Sequence, residues 1–194
     1  AIVGISIHHM NHLMGHWGLE PNKANHIDLP INAPDYIEYN SDPRGNTFLW
    51  ASQAERGLDR VAVAWPIIKQ FIPDASLWIT ASHKLWGVDY EGNDLYKAIC
   101  QGLPDVHYLA DIPRAKLVIL QKRCSLQLGP LSYDELFCVS ASEAQAAGVI
   151  PVVSTLGSLP TTVMIGDKVE GNPHSDEWLE KWINRIIYWS TNPD

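Results

Sequence analysis

The sequence predicts an α/β protein built on a doubly wound parallel sheet. Short apolar runs alternate along the chain with stretches in which apolar residues recur at helical spacing, which is the pattern of parallel strands joined by crossover helices. Hydrophobic residues make up 46% of the 194 residues and charged residues 19%, and this balance favours a packed core over disorder. The length fits one domain, or one domain with part of another.

The N-terminal residues are predicted to precede the main sheet. Residues 1–6 form a short apolar run, typical of the last strand of a domain whose beginning is missing, and His8 to Trp17 is predicted to be helical. Residues 20–45 contain prolines that exclude interior helix, namely Pro21, Pro30, Pro34 and Pro43. We therefore predict three parts: residues 1–19 as the end of another domain, residues 20–45 as an inter-domain linker, and residues 46–194 as the main domain.

The main domain is predicted to alternate strands with helices. The predicted strands are Thr47–Ala51, Ala75–Thr80, Val106–Leu109, Ser125–Gly129 and Val149–Ser154. The first helix carries Leu58, Val61, Trp65, Ile68 and Ile72 at helical spacing, and Pro66 is predicted to kink it. The other predicted helices are Asp94–Gln101, Pro113–Lys122, about Val139–Ala147, and a last helix with Ser175 as its N-cap.

The last helix carries an apolar stripe that is rich in tryptophan. Its members, Trp178, Trp182, Ile186 and Trp189, share one face of a helix. A row of aromatic rings can serve as a platform for sugars, but this helical spacing is more typical of a face that packs on a core. We therefore predict that the stripe belongs to the core or to a contact between domains.

Charge and cysteine content exclude several classes of function. The formal net charge is −8 and the basic residues are scattered, which argues against a nucleic-acid-binding surface, although one Arg and a helix N-terminus could hold a small anion. The cysteines Cys100, Cys124 and Cys138 lack CxxC spacing and are predicted to be unpaired, as in a reducing compartment.

The sequence shows neither a membrane span nor a signal peptide. No apolar run approaches the roughly 18 residues of a transmembrane helix. The first six residues lack both a basic start and a long apolar stretch. A cytoplasmic protein is therefore expected, and peripheral membrane association of a full-length form stays open.

Three histidines, His8, His12 and His16, would share one face of the predicted N-terminal helix. Two histidines at this spacing can bind zinc, but a zinc site also needs further ligands and an oriented second shell. No acidic residue lies between them. We therefore expect this face to lie against the missing domain, and we predict no metal site.

Residues 133–154 carry the groups best suited to ligand binding. Glu135 lies in a loop before a predicted helix, and Glu143 lies inside that helix. The free N–H groups at the start of the helix, around residues 137–140, offer an anion site for a diphosphate. An ionised carboxylate is only an acceptor, which suits the hydroxyl groups of a ribose and a hexose. The pattern therefore indicates a site for a nucleotide sugar.

Three motifs resemble those of family 4 (group 1) glycosyltransferases with a GT-B fold. The first is the Glu-x7-Glu pair of Glu135 and Glu143, followed by Ala-x-Ala-x-Gly-x-x-Pro-Val-Val. The second is Ala-Ser-Gln-Ala-Glu-Arg-Gly-Leu-Asp at residues 51–59, similar to the strand–loop–helix where such enzymes place a basic residue before a glycine. The third is the Gly-rich turn Ser-Thr-Leu-Gly-Ser-Leu-Pro at residues 154–160. The resemblance covers roughly residues 26–171, in the order of the family.

The resemblance implies a Rossmann-like main domain, the C-terminal, nucleotide-sugar-binding half of a GT-B enzyme. Residues 1–19 would then be the end of an N-terminal acceptor domain that is mostly missing. The chain would also end before the final helix that crosses back to that domain. Family members retain the anomeric configuration and need no metal or other cofactor, and a nucleoside diphosphate sugar is their donor substrate.

The resemblance also implies a role for each motif residue. Glu135 would be the catalytic residue beside the donor sugar ring, and Glu143 would hold the ribose hydroxyls. Arg56 would neutralise the leaving diphosphate, because charge develops there in the transition state. The remaining donor-binding positions would be Ser52 and the backbone amides of Leu136, Phe137 and Cys138.

Three positions depart from the pattern of the family. Ser52 stands where many members carry a second arginine, and Cys138 replaces a common glycine. Thr161 stands where a glutamate is frequent. These departures bear on donor affinity and identity more than on the fold.

The sequence thus predicts a retaining hexosyltransferase for glycan or polysaccharide synthesis. The donor would be a nucleoside diphosphate sugar, and a sugar or lipid-linked acceptor would bind through the missing N-terminal domain. This chain alone is expected to bind donor without turnover. Two alternatives stay open: a nucleotide-sugar epimerase, which would need further acid/base groups, and a degenerate, non-catalytic nucleotide-sugar-binding module, which Ser52 and Thr161 favour.

Overall fold

The computed structural model describes residues 2–38, 44–81, 83, 87 and 92–192, which form two parallel sheets with helices around them. The strands are β1 Ile2–Gly4, β2 Ala24–His26, β3 Thr47–Ala51, β4 Ser76–Thr80, β5 Val106–Tyr108, β6 Leu126–Gly129, β7 Ile150–Ser154 and β8 Asp167–Val169. The α-helices are α1 Ile7–Trp17, α2 Leu58–Phe71, α3 Gly92–Gln101, α4 Arg114–Arg123, α5 Val139–Ala146, α6 Leu159–Thr162 and α7 Asp176–Thr191. Short 3₁₀ helices cover Pro21–Lys23, Ala33–Tyr36 and Ala54–Arg56.

The main sheet has six strands in the order β5-β4-β3-β6-β7-β8, and every neighbouring pair is parallel. The chain winds outward from β3 to β5, returns to the middle at β6, and then winds the other way to β8. This is the order of a doubly wound, Rossmann-like sheet and confirms the predicted α/β class. The sequence pattern missed β8, because Asp167 and Lys168 interrupt any apolar run there.

Both faces of the central strand β3 are buried. Phe48, Leu49 and Trp50 are each 0% exposed. Phe48 and Trp50 belong to the larger apolar core with α2 and α7, whereas Leu49 belongs to a smaller core with α4, α5 and Tyr36. Successive side chains of a strand point to opposite faces, so a strand covered on both sides needs a continuous apolar run.

The tryptophan stripe joins α7 to the last strands of the sheet. Trp178 is 1% exposed and Trp182 is 0% exposed, and their rings stack with centroids 6.0 Å apart. Their indole N–H groups donate to the carbonyls of Val169 and Val152, both at 2.9 Å. These bonds satisfy the polar atom of each buried ring. The stripe is therefore part of the core, as predicted.

The N-terminal elements are shorter or more regular than predicted. The first strand ends at Gly4, and Ser6 is the N-cap of α1, with its hydroxyl oxygen accepting from the His9 N–H at 3.0 Å.

Helix α2 runs through Pro66, which has no N–H to donate to the preceding turn. The kink at Pro66 stays a prediction. Within the described ranges, no helix combines the length and apolar character needed to cross a membrane.

The segment predicted as a linker contains regular structure and packs on the main sheet. Strand β2 lies within it and pairs in parallel with β1, which the proline-rich composition did not indicate. Tyr36 is 8% exposed and belongs to the smaller core. Arg44 donates to the carbonyls of Cys124 at 3.0 Å and Ala147 at 2.6 Å, at the C-terminal ends of α4 and α5. Pro43, with the rest of residues 39–43, lies outside the described residues.

Replacing Arg44 tests how much this segment contributes to the stability of the main domain. We expect Arg44→Met to lower the free energy of unfolding by about 1–3 kcal/mol, because the carbonyls at two helix ends lose charge-assisted hydrogen bonds. Urea denaturation followed by circular dichroism measures the change. Lys97→Met, which removes an equal charge from an exposed position of α3, should stay within about 0.5 kcal/mol of the unmodified chain. Equal losses in the two variants would contradict the capping role.

The cysteines are buried and unpaired, as predicted. Burial raises the pKa of the Cys124 thiol from 9.0 to about 12 and that of Cys100 from 9.0 to about 11. The folded state therefore favours the protonated thiols, and this contribution to stability is complete below pH 9.0 and is lost as the pH rises toward the folded pKa.

We accordingly expect the free energy of unfolding to fall above pH 9.0. The slope should approach about 1.4 kcal/mol per pH unit for each thiol. Urea denaturation at intervals of half a pH unit measures this slope, and Cys124→Ala should make it shallower. A variant as steep as the unmodified chain would show that Cys124 does not contribute.

Candidate donor-binding cleft

A cleft of about 560 Å³ opens at the carboxyl edge of the main sheet. Its walls come mainly from the segments that follow β3, β5 and β6, at residues 52–53, 110–112 and 133–140. The strand order reverses between β3 and β6, and doubly wound sheets bind ligands at such a reversal. The cleft is therefore where the fold itself predicts a ligand.

Arg56 reaches the cleft from the 3₁₀ turn that precedes α2. Its guanidinium lies over the ring of Tyr133, with Cζ 4.4 Å from the ring centroid, and Nη1 donates to the Tyr133 hydroxyl at 2.6 Å. The same nitrogen is 3.8 Å from Glu135 Oε2. A cation therefore lies in the cleft beside an aromatic ring and a carboxylate.

The carboxylate of Glu135 is hydrogen-bonded through both oxygens. Oε1 accepts from the backbone N–H groups of Leu136 at 3.0 Å and Phe137 at 3.3 Å. Oε2 accepts from the Tyr133 hydroxyl. Burial, followed by this bond to a carboxylate, raises the pKa of Tyr133 well above its ordinary value. Glu135 thus accepts hydrogen bonds from two of the three backbone amides that were predicted to bind a donor.

The start of α5 forms one wall of the cleft. Val139 and Ser140 of its first turn line the cleft, and no side chain caps the helix. The N-cap residue Cys138 has φ 59°, in the left-handed region, and is 8% exposed. This conformation favours glycine, which explains why glycine is the residue expected here from the family resemblance. Burial raises the pKa of the Cys138 thiol to about 11, so the thiol is protonated at neutral pH.

The loop that carries Glu135 is held between two other parts of the chain. On one side, the Ser158 N–H donates to the Glu135 carbonyl at 2.7 Å, next to Gly157. On the other side, the Ser6 hydroxyl donates to the Leu136 carbonyl. These contacts fix the backbone of residues 135 and 136 from the two directions.

The histidine face of α1 contacts the same loop through Asp134. His8 Nε2 donates to Asp134 Oδ1 at 2.7 Å, and His12 Nδ1 lies 3.8 Å from Asp134 Oδ2. The rings of His12 and His16 stack with centroids 6.2 Å apart. This face therefore lies partly against the main domain. Among the described residues, no group of three or more His, Cys, Asp or Glu side chains is arranged to hold a metal ion.

Glu143 lies apart from the other predicted site residues. It is 6% exposed and does not belong to the walls of the cleft. Its Oε1 accepts from Arg114 Nη1 at 2.6 Å and its Oε2 from Gln121 Nε2 at 3.3 Å. The structure thus brings Ser52, Arg56, Glu135 and residues 136–138 together in the cleft and places Glu143 behind it, between α4 and α5.

Sequence reasoning missed two residues that organise these carboxylates. Tyr133 had a usable signal, since it is an aromatic hydroxyl two residues before Glu135 within the same motif segment. Arg114 had none, because its contact with Glu143 joins residues 29 positions apart on different helices. Neither Tyr133 nor Arg114 is among the residues to which the resemblance assigns a role.

The chain matches no protein-family model and no curated protein. Among solved structures it is similar to a sucrose-phosphate synthase from Thermosynechococcus elongatus, with a TM-score of 0.77 and 18% identity over 98% of this chain and 49% of the other. HepE from Anabaena, solved in complex with UDP-glucose, has a TM-score of 0.74 and 17% identity over 97% of this chain and 54% of HepE. The pneumococcal O-GlcNAc transferase GtfA, in complex with UDP and GlcNAc, has a TM-score of 0.74 and 14% identity over 98% of this chain and 38% of GtfA.

These similarities define the fold. The chain has the Rossmann-like half-domain architecture of GT-B glycosyltransferases, as the sequence analysis predicts. It spans about half the length of the synthase and of HepE, and a smaller part of GtfA.

Gly157 offers a direct test of how the loop around Glu135 is supported. Its φ is 62°, and a Cβ there would lie 2.2 Å from the Glu135 carbonyl oxygen and 2.4 Å from the Glu135 nitrogen. We expect Gly157→Ala to lower the free energy of unfolding by about 3 kcal/mol, since the left-handed conformation and the displaced backbone each add a cost. Urea denaturation measures the loss.

Gly18 supplies a control with the same backbone conformation. Its φ is 61°, and a Cβ there would meet nothing within 4 Å. Gly18→Ala should therefore cost only about 1 kcal/mol, the penalty of the left-handed conformation alone. If both variants lost the same free energy, the predicted contact between Gly157 and the Glu135 backbone would be wrong.

Proposed function

We propose that this chain is the donor-binding domain of a retaining glycosyltransferase, which transfers a hexose from a nucleoside diphosphate sugar to a sugar or lipid-linked acceptor. The observation that supports this proposal most strongly is the meeting of Arg56 and the uncapped start of α5 in one cleft. A guanidinium and free helical N–H groups are the combination that binds a diphosphate. The solved structures of HepE and GtfA contain UDP-glucose and UDP, which makes a uridine nucleotide the first ligand to test.

The diphosphate takes over hydrogen-bond donors that Glu135 now uses. In the structure, the amides of Leu136 and Phe137 and the Tyr133 hydroxyl all donate to this carboxylate. A phosphate that binds these donors and Arg56 repels the carboxylate, which then turns toward the hydroxyl groups of the donor sugar. The amide of Cys138 and the hydroxyl of Ser52 complete the donor contacts.

Arg56 assists the chemical step by stabilising the leaving group. During transfer, the bond between the anomeric carbon and the phosphate oxygen breaks, and its electron pair leaves with the diphosphate. The oxygen of the acceptor hydroxyl then bonds to the same face of that carbon, its proton passes to the departing diphosphate oxygen, and the configuration is retained. A cation placed beside the diphosphate lowers the barrier, because the negative charge grows in the transition state. The proposal needs no metal ion and no other cofactor.

Glu143 holds the ribose hydroxyls in this proposal, as the resemblance implies. Its carboxylate must then exchange at least one of its present partners for the ligand. The acceptor binds to a domain outside this chain, since GT-B enzymes react in the cleft between two domains. The chain alone therefore binds donor without turnover.

A degenerate binding module is the second candidate. Two observations support it. Glu135 accepts hydrogen bonds from amides of its own loop, and Ser52 supplies no positive charge at the other side of the cleft. A full-length protein that hydrolyses or transfers the sugar of a bound donor would exclude this candidate. A full-length protein that binds the donor and turns over none of it would favour it.

Titration calorimetry of this chain with UDP, GDP and ADP tests the proposed donor site. We expect saturable binding of one nucleotide. Arg56→Met should weaken that binding roughly ten- to hundredfold, because a charge-assisted hydrogen bond to phosphate contributes about 1.5–3 kcal/mol. The titrations are run on protein whose folding has been checked by circular dichroism.

Arg123→Met is the matched control for this experiment. Arg123 is exposed in the last turn of α4 and does not line the cleft, so its loss should change the affinity less than twofold, about 0.4 kcal/mol. Equal weakening by the two variants would indicate a general effect of charge. Folded protein that binds none of the three nucleotides would contradict the proposal for this chain.

A further inference from the structure

A network of polar side chains joins the segment before the main sheet to Glu143. Arg114 lies at its centre: Nη1 donates to Glu143 Oε1 at 2.6 Å, while Nε and Nη2 lie 3.2 and 3.1 Å from Asp35 Oδ2. A second branch passes through Gln121, whose Nε2 donates to Glu143 Oε2 at 3.3 Å and whose Oε1 accepts from the Tyr36 hydroxyl at 2.8 Å. Asp35 and Tyr36 belong to the 3₁₀ turn Ala33–Tyr36, so this turn and α4 hold the carboxylate together.

The two partners of the central ion pair differ in their access to solvent. The side chain of Glu143 is 7% exposed, whereas that of Arg114 is 47% exposed. An unpaired buried carboxylate is costly, so Glu143 needs a hydrogen-bond partner in every state of the protein. Arg114 has no such need, because water can replace any partner that it loses.

Asp35 allows Arg114 to release Glu143 without leaving its place. Two guanidinium nitrogens of Arg114, Nε and Nη2, contact the carboxylate of Asp35, and only Nη1 contacts Glu143. If another hydrogen-bond donor binds Glu143, Nη1 can form a hydrogen bond with water while the contacts between Arg114 and Asp35 persist. A ribose carries two adjacent hydroxyl groups that can donate to a carboxylate, and they can replace the single bond from Nη1.

We infer that Arg114 competes with the ribose of the donor for the carboxylate of Glu143 and thereby lowers the affinity for nucleotides. The inference rests on the proposed function and names the residue that sets ribose affinity at the same site. Without ligand, Arg114 and Gln121 satisfy the buried carboxylate. With ligand, the ribose hydroxyls displace Nη1, and Arg114 stays on Asp35. The ion pair is present only in the free state, so it opposes binding, and weaker binding favours release of the nucleotide product.

The inference predicts opposite effects for substitutions of Arg114 and of Asp35. Arg114→Met removes the competitor and should tighten binding of the ribonucleotide about tenfold, which corresponds to about 1.4 kcal/mol. Asp35→Asn removes the other anchor, so Arg114 binds Glu143 alone, and the affinity should fall about threefold. Lys116→Met removes an equal charge from an exposed position of the same helix and should leave the affinity unchanged within about twofold.

Calorimetric titration with UDP, GDP and ADP, each beside its 2′,3′-dideoxy counterpart, separates competition from other roles. A dideoxy nucleotide cannot bind Glu143 through the ribose, so Arg114→Met should change its affinity less than about twofold. In a Glu143→Gln background, Arg114→Met should likewise have an effect below about twofold, because both substitutions then act on the same bond. Thermal unfolding of every variant confirms that it is folded, and partial unfolding cannot produce a gain in affinity.

Each outcome bears on the inference. Tighter ribonucleotide binding by Arg114→Met, with unchanged dideoxy binding, supports it. Weaker or unchanged ribonucleotide binding overturns it and leaves the proposed function standing, as does an equal gain for ribose and dideoxyribose nucleotides. If the unmodified chain is folded and binds none of the nucleotides, the proposed function fails, and the inference fails with it.

Discussion

The parallel pairing of β3 with β6 is the constraint on which the rest of the structure depends. These strands start the two windings of the sheet, in the register Phe48 opposite Leu126, so the loops that follow them diverge and leave a cleft between them. Arg56 comes from one loop and Glu135 from the other. Gly57 lets the loops touch, because its φ is 129° and a side chain there would lie 2.4 Å from the Pro130 carbonyl oxygen. A cation and a carboxylate that are far apart in sequence therefore share one site.

Both carboxylates assigned to the ligand are already hydrogen-bonded inside the protein. Glu135 accepts from two amides of its own loop and from Tyr133, and Glu143 accepts from Arg114 and Gln121. Such pairing is expected, since a carboxylate removed from water without partners would destabilise the fold by several kcal/mol. In the proposed function, donor binding is consequently an exchange of hydrogen bonds, and its free energy is the difference between the contacts that the carboxylates make with the ligand and those that they make inside the protein. The affinity then depends on the internal partners as much as on the ligand.

The sequence predicted the fold class well because the central strands are buried on both faces. The apolar run of β3 and the spacing of α2 and α7 follow directly from that burial, as the 0% exposure of Phe48 and Trp182 shows. The sequence also allowed the prediction that Arg56 and Glu135 share one cleft, since the loops that follow parallel strands lie at the same edge of the sheet. Strands β2 and β8 could not be predicted, because each has only three residues and neither contains an apolar run. The contact between Glu143 and Arg114 could not be predicted either, because it depends on how α4 packs beside α5.

The contacts of Tyr36 and Arg44 attach the segment before β3 to the main sheet. The 3₁₀ turn at Ala33–Tyr36 packs in the smaller core, and Arg44 is tied to the ends of α4 and α5, so these residues follow the sheet in any rigid-body motion. Strand β2 is tied to β1 and follows α1 instead. A rotation of α1, β1 and β2 against the sheet would therefore have to change the torsions between Ile27 and Asn32, where Pro30 fixes one φ. It would also break the bonds from Ser6 to Leu136 and from His8 to Asp134, which hold the loop that carries Glu135.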